Sequence, residues 1–205
     1  SAASEVYKRQ HFKEFKSYCF LSATPIPNNL KPAIFNDIPE YMADWNTTND
    51  ITVYPYHTDK PYMVAAKFIK TYQAKGRLNV NGIESKEAYF FINSVTEIKA
   101  ILKQTQLTED DYRIICADNP KNRRTLEGYT ISSSADAPKK FNFITSKSFE
   151  GVDFHSETGL CFVVSNVQNR HTLVSIDMDI PQIVGRIRTK SLSLIHISEP
   201  TRLQL

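Results

Sequence analysis

The sequence predicts an α/β layer fold with a mostly parallel sheet. Two observations carry that expectation. Short apolar runs of strand length ("AYFFINS", "YRIICA", "FNFITS", "LCFVVSN") alternate with stretches of helical period and polar crossings. The polar clusters Asn93-Ser94 and Thr145-Ser146, and the helix that follows Pro181, fall where strands of such a sheet would end.

The elements follow in chain order. "YCFLSATPIP", Tyr18 to Pro27, reads as a buried strand stopping at a Pro-rich loop, and residues 28–50 as an Asn- and Pro-rich surface covering. "DITVYPY", Asp50 to Tyr56, alternates like a strand. Pro61 opens a helix that Gly76 closes, with Val64, Phe68 and Tyr72 on its apolar face. Asn81-Gly82 marks a loop or hairpin. Ala88 to Ser94 is a buried strand, and "VTEIKAILKQT" an amphipathic helix with Ile98, Ile101 and Leu102 inward. Tyr112 to Ala117 is a strand, and a short helix is expected around Arg123 to Leu126. Phe141 to Ser146 and Leu160 to Asn166 are further strands, and the Pro181 helix closes the series.

Bulk properties narrow the function classes. The chain has 205 residues, 41% of them hydrophobic, enough for one large core or two small ones. A formal net charge of +3 is too small to argue for nucleic acid by charge alone. Cys19, Cys116 and Cys161 form no CxxC pair, and each sits in an apolar run where a buried thiol is expected. Neither a membrane-length apolar stretch nor a signal peptide is present, so a cytoplasmic location is expected.

Both ends resemble translated sequencing adapter. The tail "LSLIHISEPTR", Leu192 to Arg202, matches a transposase mosaic end and its extension, and "VYKRQ", Val6 to Gln10, matches the reverse complement. "SAAS" before it also fits the partner adapter, while Glu5 departs from it. Residues 1–10 and roughly 191–205 are therefore set apart from the fold reasoning. Residues 191–205 are expected to make few contacts with the sheet.

Three stretches could hold a phosphate or nucleotide. In "DIPQIVGRIRT", Gln182 and Arg186 lie four apart, on one face of a helix that starts at Asp179 and Pro181. An amide and a guanidinium there could grip a phosphate, or form an ordinary solvated face. In "FITSKSFEGVDF", Thr145 and Ser146 end a strand with hydroxyls and N–H groups free for a phosphate. Gly151 permits close approach, and Asp153 can accept from a ribose hydroxyl; the competing reading is a cap and a turn. "SAT", Ser22 to Thr24, is weak alone, since small hydroxylated residues commonly end strands.

Taken together, Ser22-Ala23-Thr24-Pro25, "FFINS", "TSKSFEGVD" and "QIVGRIR" resemble motifs III, IV, V and VI of superfamily 2 helicases, in order, across residues 18–190. "FEGVD" and "GRIR" are similar in style to DEAD/DEAH-type helicases of bacteria, phages and mobile elements. The resemblance implies two RecA-like lobes that clamp ATP between them and nucleic acid across them. Residues 11–50 would be the end of lobe one and residues 51–190 the truncated lobe two, the helicase C-terminal domain. Ser22 and Thr24 would couple the ATP site to strand movement. Ser94, Thr145 and Ser146 would meet the nucleic acid. Gly151 and Asp153 would lie beside ATP, with Gln182 and Arg186 reaching the γ-phosphate and Arg188 as a second catalytic cation.

Two departures stand against the motif pattern. Motif VI reads Q-x-x-G-R-x-x-R, which calls for an arginine where Thr189 stands, with Arg188 one residue early. The chain contains neither a GxxxxGK[ST] phosphate loop nor an Asp-Glu box, so ATP and Mg²⁺ would be held mainly by a first lobe outside it. The implied function is the second lobe of an ATP-dependent helicase or translocase, inactive alone, with nucleic acid as partner, DNA before RNA, and with no membrane. The alternatives are a non-catalytic α/β module that holds a nucleotide or partner, and a restriction-system or chromatin-remodelling-type translocase.

Overall fold

The computed structural model describes residues 12–21, 28, 31–42, 52–80, 82–146, 154–156, 159–174, 179–188 and 193–198. The chain divides into two compact units, Ser1–Asn49 and Asp50–Leu205.

The first unit contains 3-10 turns at Phe12–Glu14 and Ala33–Phe35. Phe12 is its buried centre, stacked on Phe35 at 5.6 Å and edge-on to Phe20 at 5.0 Å. The strand expected from Tyr18 onward does not form over its described residues. Tyr18, Phe20 and Leu21 are exposed, Leu21 at 93%. Cys19, expected to be buried, is exposed with them. An apolar run with no paired neighbour has nothing to satisfy its backbone as a strand, so propensity alone does not make it one.

In the second unit β1 (Thr52–His57) leads to α1 (Pro61–Lys75), the hairpin β2 (Leu78–Val80) and β3 (Ile83–Ser85), and β4 (Ala88–Ile92). Then come α2 (Val95–Thr105), β5 (Tyr112–Ile115), α3 (Pro120–Thr125), β6 (Phe141–Ile144), β7 (Phe154–His155) and β8 (Leu160–Val164). The series ends with α4 (Asp179–Arg186), β9 (Ile187–Arg188) and β10 (Ser193–Ser198). Gly76 closes α1 at φ 69°, a left-handed value glycine adopts without strain, and its N–H donates to Tyr72 O. Six strands form one sheet in the order β1-β10-β8-β4-β6-β5, every pair parallel. Pro55, which lacks an N–H, sits on the edge strand β1, where it costs the sheet least.

Strand alternation divides the apolar side chains between two cores. Ala88, Phe90 and Ile92 join Ala65, Ala66 and Ile69 of α1 and Ile98, Ile101 and Leu102 of α2. Tyr89 and Phe91 join Cys161, Val163, and Ile180 and Ile183 of α4. Phe90 is stacked between Phe143 at 5.5 Å and Phe162 at 4.7 Å. Each such buried ring contributes about 1.5–3 kcal/mol relative to exposure.

Two expectations change here. The buried stripe of α1 is Ala65, Ala66, Ile69 and Tyr72, whereas Val64 and Phe68 are only half-buried. The large rings of the sheet leave room for alanines beneath the helix, and Phe68 moves to its flank, 5.2 Å from Phe162. Residues 193–198 do not lie apart from the sheet. They form β10, paired in register with β1 from Thr52 to His57 and with β8 from Cys161 to Val164. Leu194, Ile195 and Ile197 are buried. The run "SLIHIS" has strand character whatever its origin: alternate residues reach the two cores, and both edges complete hydrogen-bond ladders. This packing counts against setting the segment apart from the fold. Among the described residues, no helix is long and apolar enough to cross a membrane.

Candidate nucleic-acid and nucleotide site

β4 and β6 are parallel neighbours, so the chain leaves both at the same end of the sheet. That places Asn93-Ser94 and Thr145-Ser146 side by side. Asn93 links them: its Oδ1 accepts from Ser146 Oγ at 2.7 Å, and its Nδ2 donates to His171 O at 2.7 Å. Ser94 caps α2, its Oγ accepting from the Glu97 N–H at 3.4 Å, so the ordinary capping role holds for this hydroxyl. Thr145 is buried, and its N–H donates to Ile115 O at 3.0 Å. Of the three nucleic-acid candidates, Ser146 is the exposed one.

β5 ends beside β6 and adds cations that the sequence reading did not assign to the site. Asn119 caps α3 by accepting from the Asn122 N–H at 2.8 Å. Lys121, Arg123 and Arg124 on that helix are exposed. Arg123 grips Asp118 with both Nε and Nη2, at 2.5 and 2.6 Å, and so holds the Asp118 carboxyl below the usual carboxylate range. A depression of about 320 Å³ opens beside them, lined by Asp118, Arg123, Glu127 and Tyr129 among others. The signal was in "NPKNRRT", where an Asn-Pro start precedes three cations.

The opposite end of the sheet carries the second group. β7 pairs with β9 in parallel, Phe154 opposite Ile187 and His155 opposite Arg188. Thus the residue after Asp153 lies against the residue after Arg186. Phe154 packs 5.7 Å from the Tyr89 ring and beneath the Arg113 guanidinium, 5.4 Å from its carbon. Phe91 pairs with Ile144, so Thr145 lies about three strand residues, roughly 10 Å, along the sheet from Tyr89. Thr145 is at the strand ends, and the β7–β9 ribbon is at the strand starts.

Gln182 is half-buried on α4, next to buried Ile183. The helix ends at Arg186, and Ile187–Arg188 is extended. Arg186 and Arg188 are therefore not held apart by helix geometry, as a continuous helix would require. Ser22, Thr24, Gly151 and Asp153, and the side chains of Arg186 and Arg188, lie outside the described residues.

Beneath the ribbon lies a buried polar group that sequence reasoning absorbed into apolar strands. Arg113 is 2% exposed, and its Nε donates to Asn142 Oδ1 at 2.6 Å. Burial pulls its pKa down from the ordinary arginine value. Tyr89 OH donates to Glu87 Oε2 at 3.1 Å; burial first, then that carboxylate, pushes the phenol well above its usual range. Among the described residues, Ser156 Oγ is buried with no hydrogen-bond partner of ordinary geometry. Burial also raises the Cys116 and Cys161 thiols, which makes both poor nucleophiles. Among the described residues, no three His, Cys, Asp or Glu side chains converge as a metal site. No family model and no curated protein matches this chain.

Proposed function

We propose that this chain supplies the second motor lobe of an ATP-dependent nucleic-acid helicase or translocase of the superfamily 2 type. The observation that carries the reading is the β7–β9 pairing, which sets the chain just after Asp153 against the chain just after Arg186. In the resemblance those segments serve one nucleotide. The strand ends at Asn93-Ser94 and Thr145-Ser146, with the cations of α3 beside them, would face the nucleic-acid backbone. Gln182 and Arg186 would meet the γ-phosphate, where a positioned cation offsets charge developing during phosphoryl transfer. ATP phosphates and Mg²⁺ would be held chiefly by a phosphate loop and acidic pair on a first lobe, since this sequence contains neither. The test is nucleic-acid-stimulated ATP hydrolysis by a two-lobe protein carrying this chain. Stimulation that is lost on Arg186→Ala supports the proposal. Hydrolysis indifferent to both nucleic acid and Arg186 sinks it.

A further inference from the structure

We infer that Arg113 is a positioning residue, whose buried guanidinium seats Phe154 and through it the β7–β9 ribbon. The inference rests on the proposed function for its consequence at the nucleotide, but not for its test.

A cation buried without a carboxylate is uncommon, because desolvation is costly. Among the described residues no carboxylate forms an ion pair with Arg113. Its fork is aimed instead by neutral acceptors: Asn142 Oδ1 at 2.6 Å and the Asp136 carbonyl. Asn142 is itself fixed, its Nδ2 donating to Lys139 O at 2.7 Å and Ala88 O at 3.3 Å, its Oδ1 accepting from the Lys139 N–H at 3.1 Å. The guanidinium plane is thus set from β6 and the loop before it, with the Phe154 ring 5.4 Å away. Tyr89 holds the same ring at 5.7 Å. An aliphatic side chain at position 113 would complete the β5 core as Ile114 and Ile115 do, so β5 itself does not require a cation. What a cation adds is an oriented contact with an aromatic face. Phe154 pairs with Ile187, so that contact seats the β7–β9 ribbon.

The test is amide hydrogen exchange on the 205-residue chain and its Arg113→Met variant. The expected result is a loss of protection of about tenfold or more at Phe154, His155, Ile187 and Arg188, while Phe90 and Phe143 keep theirs. Phe154→Leu should give the same local loss with the charge intact, and it serves if Arg113→Met does not fold. Unchanged ribbon amides in the variants overturn the inference, and so does an equal loss across β4 and β6, which marks general destabilisation. If exchange changes as expected but Arg186→Ala leaves hydrolysis intact in the two-lobe protein, the functional proposal falls and this inference stands. The reverse pair of results removes only the positioning role.

Discussion

Gly159 sits where a single methyl group should disturb the buried polar group. A Cβ built there would lie 2.7 Å from Tyr89 Cε2 and 2.8 Å from Ser156 Oγ, closer than ordinary contacts allow. Neither neighbour retreats easily. Tyr89 is fully buried, packed on Phe154 and tied to Glu87, and Ser156 is buried too. Forcing atoms into a filled core costs about 1–3 kcal/mol. Against this, alanine loses less chain entropy on folding, a gain of about 0.4–1 kcal/mol where the backbone tolerates it. The clash wins, and Gly159→Ala should destabilise. In a unit of this size each kcal/mol moves Tm by about 2–4 °C, so the drop should be a few degrees, up to roughly 10 °C. Thermal unfolding followed by near-ultraviolet circular dichroism measures it. A Tm within a degree of the parent, or above it, would mean that the space around Gly159 is looser than described and the packing argument wrong.

Leu194→Ala should cost about 2–5 kcal/mol in urea unfolding, because Leu194 is fully buried between β1 and β8; a negligible cost would mean that β10 is not held in the sheet. Lys140 Nζ lies 2.7 Å from Asp111 Oδ1, and that hydrogen bond lowers the Asp111 pKa. The pair's contribution is therefore present above the unfolded aspartate value of about 3.9 and fades as pH falls through the depressed one. Lys140→Met should flatten the stability profile below about pH 4, and an unchanged acid limb in calorimetry would refute it. In a two-lobe protein Arg186→Ala should lower stimulated ATP hydrolysis by about 10³–10⁵ with little change in Tm, and Arg188→Ala, lying beyond the helix end, reports by steady-state kinetics whether the extended segment shares that role.

Periodicity carried the reading of strands and helices wherever the side chains answered to one local environment. "AYFFI" could hardly be anything but doubly buried, and Gly76 could close α1 because only backbone freedom was required. Residues whose state depends on distant partners were not legible. Tyr18 to Leu21 has the composition of a strand and, among the described residues, lacks a paired neighbour, whereas "SLIHIS" was set aside for its resemblance to adapter and is paired on both edges. Arg113 and Asn142 fall inside two strand runs, and nothing local marks them as partners. Their hydrogen bond depends on register: Arg113 stands opposite Asn142 only because Tyr112 pairs with Phe141. Local sequence does not contain that number.

The two-ended site follows from sheet geometry rather than from motif spacing. β6 and β8 are parallel, so a chain leaving β6 after Ile144 must travel back the length of the sheet before Leu160 can begin β8. The segment between them therefore has one end at the strand ends, with Thr145 and Ser146, and the other at the strand starts, with Phe154. α4 makes the same return on the same face, leaving β8's far end and finishing at Arg186, where β9 meets β7. In the proposed function this separation has a use. Each segment would have one end toward the nucleic acid and the other toward the nucleotide, with Phe154 seated against Tyr89 and Arg113 near the second end.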